Sequence, residues 1–191
     1  MIRVVCGLDL SLAKTGVAHI ESATGNVWVL NTYRVTTPPH PKGDTRALRD
    51  RMAYIRSSCS IAAEHCQLVV LEGPSFASVG SSSKDLMGLW WLVYDRLIRD
   101  HRVLVVPPST LKKWATGKGN AGKQQVGIGV YRAFPREVWG LDLERCDDNQ
   151  VDAVGLAGIG AQVLDLGAPI ESTKYRTDVV SGLRLPEEVA A

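Results

Sequence analysis

Residues 2–10 are apolar and largely β-branched and end at Asp9, the pattern of a strand. A polar turn over Ser11–Gly16 leads to a second strand at Val17–Ile20. After the turn signal Thr24-Gly25-Asn26, Val27–Val35 alternates as a third. Thr36–Gly43 holds three prolines and a glycine and reads as a loop. Asp44 or Thr45 then caps a helix to about His65, whose apolar positions Leu48, Met52, Ile55, Cys59 and Ala62 step by four and three. Leu68–Leu71 is a short continuous apolar run, as in a strand buried on both faces, and Glu72 closes it. A glycine- and serine-rich loop over 73–83 precedes a helix at Lys84–Asp100 and a second buried strand at Val103–Val106. Pro107-Pro108 breaks the chain and Ser109 caps a short helix. Thr116–Gly122 reads as flexible and basic, Lys123–Phe134 as a helix weakened by Gly127 and Gly129, and Asp148–Leu166 as the last helix.

Three strands followed by strand–helix alternation predict an α/β fold. Its sheet is mixed and five-stranded, an antiparallel three-strand meander then parallel strands, with helices on both faces. Residues 1–166 form the expected domain. The weak pattern of 167–191 predicts a C-terminal extension, read as a loose tail.

Composition narrows the classes. The chain has 191 residues, and 45% are apolar, which fits one packed domain. No stretch is long and apolar enough to span a bilayer, and an acid at Asp9 interrupts the N-terminal run before it reaches signal-peptide length, so the cytoplasm is the expected location. Net charge is only +2, so any nucleic-acid contact must come from local charge. Cys6, Cys59, Cys66 and Cys146 form no C-x-x-C pair and read as small buried hydrophobes.

The acids carry the chemistry. Asp9 ends the first strand and Glu72 the fourth, so parallel neighbours would bring both to one sheet edge. Asp148 and Asp152 lie one turn apart at the start of the last helix. Such carboxylates raise one another's pKa unless a cation compensates, and hard oxygen donors suit Mg²⁺, with Mn²⁺ as a substitute. Two ions can clamp a phosphodiester. Taken alone, Asp148 is as readily a helix cap as a ligand. Lys112, Lys113, Lys118 and Lys123 stand in an acid-free segment suited to phosphate contact. Gly117–Lys123 also fits G-x-x-x-x-G-K, but a helix precedes it and Gln124 follows it, which argues against a nucleotide cofactor. On the helix over 84–100, Leu86, Leu89, Trp90, Val93 and Leu97 form one apolar face, expected on the sheet. Met87, Trp91, Tyr94 and Ile98 form a second.

The segments Gly7-Leu8-Asp9-Leu10-Ser11, Thr15-Gly16-Val17-Ala18, Val69-Val70-Leu71-Glu72 and Asp148-Asn149-Gln150-Val151-Asp152 resemble, in order, motifs of RuvC-type Holliday junction resolvases, phage-type members included. So does the basic stretch from Pro107 to Val126. The resemblance spans roughly residues 4–160. It implies an RNase H-like fold and a homodimer, with Met87, Trp91, Tyr94 and Ile98 at the seam. It implies a DNA-binding, magnesium-dependent crossover junction endodeoxyribonuclease active in recombination and repair. That enzyme cuts four-way or branched DNA by paired nicks, leaving 5′-phosphate and 3′-hydroxyl ends. Asp9, Glu72 and Asp152 carry over as metal-holding catalytic residues. The family's fourth ligand falls where Asn149 stands. Asp148, one residue earlier on the same face, is the expected carboxylate, with Asn149 as a neutral ligand. A junction-probing aromatic is expected where Ser75 sits, and Phe76 is the nearest candidate. The competing readings are a nuclease of broader branch or flap specificity and a non-catalytic junction-binding module.

Overall fold

β1 (Arg3–Asp9) is buried almost throughout because it is central in its sheet. β2 (Lys14–Ser22) pairs with it antiparallel, and β3 (Trp28–Thr36) pairs antiparallel with β2. On the other side β4 (Leu68–Glu72) runs parallel to β1, and β5 (Val103–Val106) parallel to β4. The order is β3-β2-β1-β4-β5, the mixed sheet that the pattern predicts. The computed structural model describes residues 3–22, 28–74, 81–135 and 146–187. Among these, no helix is long and apolar enough to cross a membrane.

Helices cover both faces. α1 (Thr45–Ala63), capped by Asp44 through Ala47 N–H at 2.9 Å, packs with α2 (Ser81–Leu97) over one core containing Cys6, Leu8, Ile55, Leu71 and Val93. α3 (Pro108–Thr116), α4 (Lys123–Ala133) and α5 (Asp148–Val163) enclose the other, around Val5, Val70, Trp114, Val130 and Leu156. Trp114 is fully buried and donates from Nε1 to Gln162 Oε1 at 2.7 Å, so it is core.

Several local expectations change. α2 begins at Ser81, inside the stretch read as loop. α3 is capped by Pro107 with Pro108 at its first position, not by Ser109, because the fixed proline φ already suits a helix start. Thr116–Gly122, expected to be flexible, is a hydrogen-bonded turn. Gly117 closes α3 at φ +80°, and the Thr116 hydroxyl donates to Lys112 O and accepts from Lys118 N–H. Leu86, expected on the sheet, is 38% exposed.

The C-terminal extension, read as a loose tail, holds α6 (Lys174–Ser181), and Ala168, Ile170, Val179 and Leu183 pack on the α3–α5 core. Its anchor is Arg176, 1% exposed, whose guanidinium lies 5.3 Å from the ring centroids of both Trp114 and Tyr175. It donates to Glu171 Oε2 at 2.9 Å and to Gly129 O at 3.1 Å.

α5 touches the sheet through glycine. A Cβ on Gly7 would stand 2.1 Å from Ala153 O, and one on Gly16 2.0 Å from Asn149 O. These contacts are with backbone, so no side-chain rotation relieves them. Gly7→Ala is expected to push α5 off β1 at a cost of about 3 kcal/mol or more. Calorimetry should then show Tm falling by roughly 6–12 °C.

Candidate active site

The close seating of α5 on β1 and β2 brings the acids together. Asp9 leaves the carboxyl end of β1 and is 8% exposed. Glu72 leaves the same end of the parallel neighbour β4, and Asp152 faces them from the second turn of α5. Asp9, Glu72, Asp148, Asn149 and Asp152 line one cleft of about 850 Å³ with Lys112 and Lys123. A smaller hollow of about 420 Å³ adjoins it, sharing Asp9, Glu72, Leu86 and Asn149 and reaching Ser11, Met87 and Trp90.

The electrostatics follow from that crowding. Burial, then the charges of Glu72 and Asp152, raises Asp9 well above the carboxylate range, while Lys123 pulls it down. Glu72 is raised by burial, against the hydrogen bond from Asp9 and the charges of Lys112 and Lys123. Burial, then Glu72, lifts Asp152 to about 7, and Asp148 adds to the rise while Lys123 and Lys112 oppose it. Three carboxyl groups share too little positive charge.

A hard divalent cation fits this donor set. Among the described residues, no three acidic, histidine or cysteine side chains already converge on one cation position. The acids are adjacent in one cleft, and each of Asp9, Glu72 and Asp152 is raised by burial. A cation entering the cleft would compensate their charge.

Asp148 and Asn149 divide the remaining roles. The α5 cap is Asp147, which accepts from Gln150 N–H at 3.2 Å and pairs with Arg34 at 3.3 Å. Asp148 is thus released from capping. It lies in the first turn, largely exposed and 3.3 Å from Lys123 Nζ. Asn149 donates through Nδ2 to Lys14 O, which ties α5 to the start of β2. Its carboxamide serves the fold as well as lining the cleft.

The four lysines separate. Lys112 and Lys123 line the acidic cleft. Lys118 opens onto a neighbouring hollow with Arg132 and Tyr175, and Lys113 is exposed and lines neither. Phe76 lies outside the described residues. On α2, Trp91 is exposed, as is Ile98 just past its end, Tyr94 stacks on Trp90 with centroids 4.9 Å apart, and Met87 faces the hollow beside Glu72. The second apolar face is therefore only partly free.

One positioning residue escapes the sequence pattern, which places Trp90 simply in the core. Its Nε1 donates to Glu72 O at 2.7 Å, fixing the strand end that carries the carboxylate. A Trp at the right helical phase signals burial, but nothing in its spacing signals that bond.

No protein-family model matches the sequence, and no curated protein does. Among solved structures, Thermus thermophilus RuvC superposes with a TM-score of 0.59 at 19% identity, over 88% of this chain and 98% of that one. The fold is that of RuvC. T. thermophilus RuvC in complex with a Holliday junction substrate gives a TM-score of 0.63 at 18% identity, over 88% and 99% of the two chains. The yeast mitochondrial Holliday junction resolvase Ydc2 gives 0.53 at 12%, over 80% and 75%. The sequence is far from all of these, so they speak for the RuvC architecture, and the chemistry rests on the residues of the cleft.

Proposed function

We propose that this chain is a magnesium-dependent, structure-selective DNA endonuclease that resolves four-way junctions. The observation that carries the reading is one cleft in which Asp9, Glu72 and Asp152, delivered by three different elements of a RuvC fold, face Lys112 and Lys123. The acids would hold Mg²⁺ or Mn²⁺ there, with Asp148 completing the set and Asn149 beside it. The bound ions supply Lewis-acid stabilisation and an activated water for phosphodiester hydrolysis. The lysines hold the phosphates of the scissile strand, and Trp90 keeps the β4 end in place. The solved RuvC–junction complex supports branched DNA as the substrate class.

A homodimer pairing two such clefts through exposed Trp91 of α2 and Ile98 just past its end would give symmetric cutting. A supercoiled plasmid extruding a cruciform tests this. Paired nicks within one binding event give linear product directly, with 5′-phosphate and 3′-hydroxyl ends. Accumulation of nicked circles, or equal cutting of flaps and junctions, supports the broader nuclease instead.

Lys112→Ala and Lys123→Ala are each expected to weaken junction binding in chelator irrespective of sequence. Each should reduce the slope of log affinity against log salt by about one. Anisotropy titrations at several salt concentrations read both effects. The Lys123–Asp148 pair is too exposed for its loss to matter to stability.

A further inference from the structure

A hollow of about 470 Å³ lies between α3, α4 and α6, lined by basic side chains from three parts of the chain. Lys118 follows α3, Arg132 stands in the last turn of α4, and Arg176 in the first turn of α6. Among the described residues the one acid lining it is Glu171, which Arg176 already engages, Nη1 to Oε2, at 2.9 Å. Neither Lys118 nor Arg132 has an ion-pair partner among the described residues. The N-terminal turn of α6, capped by Thr173, lines the same hollow and adds the positive end of its dipole. Arg176 supplies an independent sign. Its side chain is buried, Nη1 donates to Glu171 and Nη2 to Gly129 O, but Nε is buried with no acceptor among the described residues. A buried N–H left unpaired is costly and rare. An anion oxygen seated against Arg176 gives it the acceptor it lacks.

We propose that this hollow is a phosphate-binding site, distinct from the acidic cleft, with exposed Lys118 and Arg132 at its mouth and buried Arg176 at its floor. The chemistry favours phosphate over a carboxylate ligand. A planar carboxylate pairs best with a single guanidinium fork. A tetrahedral phosphate presents oxygens in several directions and accepts from cations that converge from three elements.

The phosphate group has two sources. α4 is the wall between this hollow and the acidic cleft. Ile128 lines both, with Lys123 and Tyr131 on the cleft side and Gln125 and Arg132 on the other. A DNA arm lying over the cleft would therefore carry its backbone phosphates across α4 to the hollow. A free phosphate ester has the same chemistry and reaches it from solvent. Only the first source rests on the nuclease reading; the site itself does not.

The test is an NMR titration of the full chain in chelator, where no cleavage occurs, so its outcome is independent of the cleft's activity. Inorganic phosphate should saturably shift the Arg176 Nε–H resonance and the backbone amides of Lys118 and Tyr175, and sodium chloride of equal ionic strength should not. Lys118→Ala and Arg132→Ala replace exposed side chains and leave the Arg176 anchor in place. Each should weaken the phosphate affinity about tenfold, as expected for one lost charged hydrogen bond. Arg132→Lys, which keeps the charge without the fork, should retain part of it. A short linear duplex that shifts the same resonances and is displaced by free phosphate assigns the site to DNA backbone. A duplex that leaves them unmoved while phosphate saturates assigns it to a free phosphate ester. No saturable shift with either probe, a shift that chloride reproduces, or one that both alanine variants leave unchanged would overturn the proposal.

Discussion

Asp9→Asn lowers Mg²⁺-dependent junction cleavage by about 10³-fold or more and at the same time raises the melting temperature of the metal-free protein. The two effects have one cause. Asp9 is nearly buried, bonded to Glu72 and repelled by Glu72 and Asp152. The amide has almost the same shape and can still donate to Glu72, but it adds no charge to an overcrowded site. It relieves repulsion in the empty cleft and removes a ligand from the filled one. Burst-phase cleavage of a labelled junction and calorimetry of the same preparation read both. A purely structural Asp9 would show activity and Tm falling together.

The second large effect is the dependence of stability on pH and metal. Asp152 titrates at about 7 in the fold against an ordinary value near 3.8, and Asp9 and Glu72 are raised as well. A raised carboxyl binds its proton more tightly folded than unfolded. Its favourable contribution is complete below pH 4 and is lost as pH rises through 7. In chelator, stability should thus fall between pH 4 and pH 8, by a few kcal/mol for Asp152 alone. Mg²⁺ at pH 8 should restore it by binding the ionised acids. Asp152→Asn should flatten the pH dependence and lose the Mg²⁺ response. Thermal melts across pH, with and without Mg²⁺, check the sign directly. A stability that rises with pH in chelator would contradict the electrostatics of the cleft.

Much of this was legible because the relevant signals are local. A β-branched apolar run marks β1, alternation marks β3, continuous apolar runs mark β4 and β5, and an acid ending a buried strand is conspicuous at Asp9 and Glu72. Contacts between distant segments were not legible. Asp148 fits a helix start, and only the fold shows that its neighbour Asp147 takes the cap and an ion pair with Arg34, leaving Asp148 for the cleft. α6 carries little apolar periodicity because its anchor is an arginine, and a buried guanidinium between two rings has the same sequence signature as an exposed one. Gly7 and Gly16 look like turn or motif residues. Their physical role, clearing the path of the α5 backbone, exists only once α5 is docked.

The central claim is that this cleft cuts branched DNA, and cleavage of a labelled four-way junction beside a linear duplex of the same sequence tests it most directly. Each substrate is incubated with Mg²⁺ and with chelator. The account predicts symmetric nicks near the crossover of the junction, none in the duplex, and none in chelator. Tight junction binding with no incision in Mg²⁺ or Mn²⁺ would contradict it and leave a RuvC fold that holds junctions without cutting them.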